Sequence, residues 1–264
     1  MMATPARTTE PQRTPETPTR TIRIAIVEDE SLFRDLLRTA LAQYPGLEVV
    51  GAFGDGEHAV RDVPALRPDV VLMDIELGGQ LNGIQAAMVL RRQLPELGIV
   101  LLSNQGSPRV LQSLPPDALS GWSYLLKQSV RDIASLYRAI EGAASGLMVL
   151  DPQLVANRRA RTGGALDRLT PRQREILGLV AQGYTNAAIS EKLVVATKTV
   201  EKQLNLLYQE LGVDRNTSAA HPRVRAVLTY IEETQPEAPW TSSREGSRGG
   251  GRSRRAGDSR TELS

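Results

Sequence analysis

Residues 69–74 read DVVLMD, four consecutive apolar side chains between two aspartates, and this short run decides the fold. A strand so uniformly apolar has no wet face, and strands buried on both sides belong to parallel sheets covered by helices. Working outward, IRIAIV at 22–27 and LEVVGAF at 47–53 precede it, while GIVLLS at 98–103 and WSYLL at 122–126 follow. Between these runs stand SLFRDLLRTALAQ (31–43), EHAVRDVPAL (57–66), GIQAAMVLRRQL (83–94), the stretch after Ser107, and VRDIASLYRAIEGAA (130–144). Each of the quoted helical stretches is apolar about every three to four residues. Strand–helix alternation of this kind demands parallel pairing with right-handed crossovers. Residues 21–145 are therefore expected to form a five-stranded, doubly wound, flavodoxin-like α/β domain.

The pattern changes further along. Residues 146–168, part helical and part Gly/Arg-rich, suit a linker with one short helix or turn. From Leu169 the chain turns entirely helical. Thr170, Pro171 and Gln173 supply an N-cap, a proline at the first helical position and a Gln three residues from the cap. A helix over 171–182 ends at Gly183; Thr185 caps a second helix reaching Leu193; a third runs from about Ala196 to Leu211; a last one spans about 222–233. Two short helices joined by a tight turn, with supporting helices on either side, describe a helix-turn-helix domain over 169–235. Residues 1–20, rich in Thr, Pro and Arg, and residues 236–264, rich in Gly, Ser and Arg, offer almost nothing to pack and are expected to be a disordered arm and a disordered basic tail.

Composition removes several function classes. The chain has 264 residues and no cysteine, which excludes disulfides and Cys-based zinc or iron–sulfur sites. Two separated histidines, His58 and His221, leave little for a His-ligated metal or a catalytic triad and read as ordinary surface residues. Because no apolar run approaches the roughly 18 residues of a membrane helix, and the start lacks the apolar stretch of a signal peptide, a soluble, cytoplasmic protein without membrane contact is expected. The net charge of +2 hides a division: residues 21–145 hold 11 basic against 15 acidic side chains, and residues 146–235 hold 12 against 9.

In open parallel sheets ligands bind beyond the carboxyl ends of the strands. Here those ends carry Glu28 and Asp29 after the first strand, Asp74 on the third, Ser103 on the fourth, and Tyr124 to Lys127 on the fifth. Three crowded carboxylates repel unless a hard divalent cation sits among them, and Mg²⁺ favours carboxylate oxygens and water while leaving room for phosphate. Lys127 and Ser103 are the donors a phosphoryl group needs, so the constellation is able to carry one on Asp74 as an acyl phosphate.

These residues resemble the receiver domain of two-component response regulators. The resemblance implies that Asp74 accepts a phosphoryl group from a histidine kinase, that Glu28 and Asp29 hold Mg²⁺ with it, that Ser103 and Lys127 contact the phosphoryl oxygens, and that Tyr124 is the aromatic switch residue. The chain departs from the pattern at Gly78, where proline is usual, in a stretch (DIELGGQLNG) one residue longer than the family's, and at Asn104, which follows Ser103 in place of a small apolar residue. Pro115 and Pro116 cannot continue a helix, so the fourth helix is expected to be short or displaced.

The stretch LTPRQREILGLVAQGYTNAAISEKL followed by TKTVEKQLNLLYQELGV resembles the LuxR-type helix-turn-helix of the NarL/FixJ branch. Ile189, Leu193, Val195, Val200, Leu204, Leu207 and Leu211 read as its core, while Lys198, Glu201, Lys202 and Asn205 face outward on the third helix. The resemblance puts Glu201, Lys202 and Asn205 at base-facing positions and Lys198 and Thr199 near the backbone. Ala196 stands where the family has a capping Ser, and Glu210 where Lys is common. The stripe Val224, Val227, Leu228 and Ile231 on the last helix suits either the module's own core or a dimer seam.

Together these features imply a transcription factor in which phosphorylation of Asp74 modulates homodimerisation and sequence-specific DNA binding, with a histidine kinase, promoter DNA and RNA polymerase as partners. The only chemistry expected is the receiver's own phosphorylation and dephosphorylation, since neither a nucleophile–base pair nor a phosphate-cradling glycine loop is visible. A phosphorylation-independent DNA-binding or scaffold protein with an atypical receiver is the alternative.

Overall fold

The computed structural model describes residues 20–104, 119–156, 158–160, 163–213 and 221–236. Residues 1–19 of the arm, most of the basic tail and the Pro115–Pro116 segment lie outside the described residues.

Six parallel strands build one sheet: β1 (Ile22–Val27), β2 (Leu47–Phe53), β3 (Val70–Asp74), β4 (Gly98–Ser103), β5 (Trp122–Leu126) and β6 (Val149–Leu150), in the order β2-β1-β3-β4-β5-β6. The helices α1 (Ser31–Ala42), α2 (Gly56–Leu66), α3 (Gly83–Gln93) and α4 (Ile133–Ala144) connect or follow them. β3, β4 and β5 are buried along their whole length, whereas edge strand β2 is only half-buried, as its mixed composition requires. Alternation sorts the strand residues by face: Ile24, Ile26, Val70, Leu72, Val100 and Leu102 pack toward α1 and α4, and Ala25, Val27, Val71, Met73, Ile99 and Leu101 toward α2 and α3.

The sheet has one strand more than the sequence suggests. Val149 and Leu150, inside the stretch expected to be a linker, pair with Ser123 and Tyr124 and are buried. Two residues are too few to show a period, which is why the sequence does not reveal them. The same stretch adds α5 (Pro152–Ala156), β7 (Arg158–Ala160) and a 3₁₀ turn at Ala165–Arg168. β7 pairs antiparallel with β8 (Thr234–Pro236), so the first residue assigned to the tail is part of a two-stranded ribbon.

The helical unit comprises α6 (Pro171–Ala181), α7 (Asn186–Leu193), α8 (Thr197–Glu210) and α9 (Pro222–Glu233). Its starts follow the expected cap chemistry. Thr170 and Gln173 form a reciprocal capping box, and the Thr185 hydroxyl accepts from the Ala188 N–H at 3.2 Å. Gly183 has φ +81°, the left-handed conformation that ends α6 without a Cβ clash. No side chain caps α8, whose N-cap is Ala196. Apolar side chains of α5 (Leu154, Val155) and of α6 (Ile176, Leu177, Val180) join the same buried cluster as the α2/α3 face of the sheet.

Candidate functional site

In the strand order β2-β1-β3 the chain reverses its winding between β1 and β3, and a crevice opens at their carboxyl ends. The residue immediately after β1 and the last residue of β3 stand there. Oxygens of Glu28, Asp29 and Asp74 all lie within 4.8 Å of one another. Glu28 and Asp74 are buried and Asp29 is exposed, so the cluster opens to solvent on one side only. Lys127, immediately after β5, reaches across from two strands beyond β3 and donates from Nζ to Glu28 Oε1 at 2.8 Å and to Asp74 Oδ2 at 2.9 Å.

Burial drives the Glu28 carboxyl above its ordinary pKa, and the charge of Asp74 adds to the rise while the Lys127 hydrogen bond opposes it. Burial works against the Lys127 charge as well, yet its bonds to Glu28 and Asp74 outweigh that effect and raise the ammonium's pKa. Lys127 therefore stays protonated and is held by two acidic partners. Phe33 supplies a ring face 5.2 Å from Nζ. Ser103 ends β4 in register with Leu126 and is buried, and Tyr124 is buried in β5 with its backbone opposite Leu101 and Leu150. The structure thus brings Glu28, Asp29, Asp74 and Lys127 into one cluster, with Ser103 on the adjacent strand end.

Further residues shape this corner. Asp29 Oδ2 accepts from the Gly78 N–H at 3.1 Å, and the Asn104 amide donates to Glu76 Oε2 at 2.8 Å, so both departures from the family pattern are engaged in the loop beyond Asp74. Glu57, in the first turn of α2, accepts from the Gln80 and Leu81 N–H groups at 2.6 and 3.0 Å and fastens that loop from the other side. Gly83 opens α3 so close to β3 that a Cβ there would lie 1.7 Å from the Asp74 carbonyl oxygen. Sequence reasoning missed both Glu57 and Gly83. The second carries a signal, a lone glycine opening a helical run, whereas the partners of Glu57 are backbone groups that no pattern displays.

On the helical unit Lys198, Thr199, Glu201, Lys202 and Asn205 are all exposed along α8. Beneath them Ile189, Val200, Leu204, Leu207 and Leu211 are buried, while Leu193 and Val195 are partly buried against the same core. Arg168 donates to the Glu210 carbonyl at 2.7 Å, which brings a cation to the carboxyl end of α8 where Glu210 offers none. Arg223 is buried against the start of α7, donating to Asn186 Oδ1 at 3.1 Å and to the Tyr184 carbonyl. His221 caps α9 through Nδ1 and His58 bonds the Asp55 carboxylate at the start of α2, so both histidines, read from the sequence as ordinary surface residues, take part in helix starts. The stripe Val224, Val227, Leu228 and Ile231 is 0, 0, 7 and 0% exposed. These four side chains pack in the chain's own buried cluster, the first of the two placements the sequence allows.

A lysine-bridged acidic cluster at the switch point of a doubly wound parallel sheet, followed by a helix-turn-helix unit, defines a regulator of the receiver-plus-DNA-binding-domain class. Residues 24–141 match the response regulator receiver domain, and residues 167–222 match the bacterial regulatory proteins of the luxR family. The transcriptional activator DevR/DosR of Mycobacterium tuberculosis is 31% identical over 207 residues, covering 75% of this chain and 92% of that protein. LiaR of Bacillus subtilis is 34% identical over 206 residues, covering 75% and 95%. A solved structure of Salmonella typhimurium RcsB is 24% identical with a TM-score of 0.42, covering 81% of this chain and 98% of that one. The chain belongs to the response regulators that join a receiver domain to a LuxR-type DNA-binding domain, a family of transcription regulators. Among the described residues no helix is long and apolar enough to cross a membrane.

Proposed function

We propose that Asp74 is the phosphoacceptor and that its phosphorylation by a histidine kinase modulates homodimerisation and sequence-specific DNA binding through α8. The observation that carries this reading is the Lys127 ammonium bridging Glu28 and Asp74 in a pocket where Glu28 Oε2 is buried and has no hydrogen-bond partner. A buried carboxylate oxygen left in that state is costly, and a cation relieves it. Glu28, Asp29 and Asp74 would hold Mg²⁺, the hard oxygen-ligand ion such a set suits. Bound there, the ion supplies neutralising charge for a phosphoryl group entering among three carboxylates.

The residues of the chain account for the transfer. A carboxylate oxygen of Asp74 attacks phosphorus, a P–O bond forms as the P–N bond of the kinase phosphohistidine breaks, and the imidazole leaves with a proton from solvent. Lys127, already 2.9 Å from Asp74, follows the new phosphoryl oxygens, and Ser103 at the next strand end is the second donor. Tyr124 is the buried aromatic beside that movement. DNA affinity comes from α8: Lys198 and Thr199 toward phosphates, Glu201, Lys202 and Asn205 toward base edges, with two copies reading half-sites about one helical turn apart. RNA polymerase is the downstream partner this role implies. The test is incubation with Mg²⁺ and acetyl phosphate followed by intact-mass measurement. The wild type is expected to gain one phosphoryl group and Asp74→Asn none; a wild type without mass gain overturns the reading.

A further inference from the structure

Asp151 is a fully buried aspartate in the segment between the two matched domains, and nothing described so far uses it. Its carboxylate accepts from the Leu126 N–H through Oδ2 at 2.9 Å and from the Gln153 N–H through Oδ1 at 2.8 Å, while its own N–H donates to the Tyr124 carbonyl at 2.8 Å. One residue thereby clamps the backbone on both sides of Leu125, immediately before Lys127. A second tie reinforces it, from the Gln128 amide to Gln153 Oε1 at 3.0 Å. A buried carboxylate has no water to fall back on, so any shift of residues 124–127 must carry Asp151 with it or leave a charge unsatisfied.

The other side of Asp151 leads to the DNA-binding unit. It opens α5, whose Leu154 and Val155 are buried in the cluster containing Ile176 and Leu177 of α6. The Val155 carbonyl accepts from the Tyr230 hydroxyl of α9 at 2.9 Å. Contiguous packing and hydrogen bonds therefore run from Lys127 to α9. Contiguity alone does not establish coupling, because both ends must bias one element between two arrangements.

We propose that Asp151 is a positioning residue that couples the phosphorylation state of Asp74 to the helical unit, with α5 as the element that moves. The inference rests on the phosphoacceptor reading above. When Lys127 turns from Glu28 and Asp74 toward a phosphoryl group, the Leu126 N–H shifts; Asp151 follows, and α5 changes its seat on α6 and α9. The amide of Asp151→Asn is close in shape but carries no charge and offers one acceptor oxygen instead of two. Tyr230→Phe removes only the hydroxyl that reaches Val155.

The test reads two quantities on the full-length protein with Mg²⁺ and acetyl phosphate: intact mass, and hydrogen exchange over 171–181 and 222–233. In the wild type, phosphorylation is expected to change exchange in both helices. In Asp151→Asn and in Tyr230→Phe the mass gain persists while that change falls to less than about half of the wild-type value. Should Asp151→Asn fail to fold, Tyr230→Phe carries the test alone. If either folded variant gains mass and keeps the full wild-type response, the coupling role is overturned while the phosphoacceptor reading stands. If the wild type gains no mass, the phosphoacceptor reading falls and the coupling falls with it. A merely structural role would lower thermal stability equally with and without phosphorylation and leave the response intact, which also overturns the proposal.

Discussion

Val194 sits in the turn between α7 and α8 with φ 52° and ψ 51°, and it is 90% exposed. A β-branched residue in the left-handed region is strained, at a cost of about 1–2 kcal/mol, and exposure means that no packing offsets it. Asn tolerates that conformation, so Val194→Asn is expected to stabilise the protein by about 1 kcal/mol in chemical denaturation; an unchanged or lower midpoint refutes the strain. Gly83 makes the opposite case. A Cβ 1.7 Å from the Asp74 carbonyl cannot be accommodated without moving β3 or α3. Gly83→Ala is expected to cost about 3 kcal/mol, the upper end of the range for overpacked sites, and to lower the yield of phosphoprotein because the backbone of the proposed acceptor moves. A variant with wild-type stability and full mass gain would show that the approach is not tight. These two residues also mark what the sequence can show at this scale. Glu28, Asp74 and Lys127 are legible because each stands at a strand end, whereas Glu57, Gly83 and Asp151 act on backbone groups 20 or more residues away or across a close approach, and side-chain identity does not encode either.

At the scale of elements the sequence is more informative, because period and cap chemistry are local. Thr170, Pro171 and Gln173 announce α6, Thr185 announces α7, and both caps form. Where the local signal is absent the structure lacks the cap too: Ala196 has the extended backbone of an N-cap, φ −68° and ψ 145°, but no side-chain oxygen. Ala196→Ser supplies that oxygen at the start of the helix that carries Lys198, Glu201 and Lys202. It is expected to stabilise by about 1 kcal/mol, visible as slower hydrogen exchange in the first turn of α8; exchange identical to the wild type would show that the first turn is already held by its packing. β6 escapes notice, and α5 is expected only as an unplaced short helix or turn, for the converse reason. A two-residue strand and a five-residue helix have no period to detect, and they form because the end of β5 and the surface of α6 bury them.

For the whole molecule the informative contact is Tyr184, the residue between Gly183 and Thr185. Its ring lies 4.9 Å from the guanidinium carbon of Arg138 on α4 and 4.6 Å from Lys192 Nζ on α7, so one aromatic face system joins a receiver helix to the first helix of the helix-turn-helix. This docking engages α4, the turn before α7 and Lys192 in its last turn but leaves Lys198, Thr199, Glu201, Lys202 and Asn205 exposed. On the proposed assignment of these residues to DNA, undocking would therefore uncover nothing further for it to contact. Tyr184→Leu keeps an apolar side chain and the Arg223 bond to the backbone carbonyl while removing the ring, and with it cation–π contacts worth about 0.5–2 kcal/mol. The variant is expected to exchange hydrogen faster over 138–145 and 183–188, while the affinity of the unphosphorylated protein for a duplex selected from a random-sequence pool stays within about twofold, or about 0.4 kcal/mol. Affinity rising tenfold or more would mean that the receiver masks the reading helix, and the exposed face of α8 would then be an inadequate description of the resting state. Within twofold, control of DNA binding has to run through the orientation of α8 or the pairing of two copies, the routes on which net charge also bears. A helical half with only 12 basic against 9 acidic residues gains little electrostatic attraction from a single copy, and two copies double it.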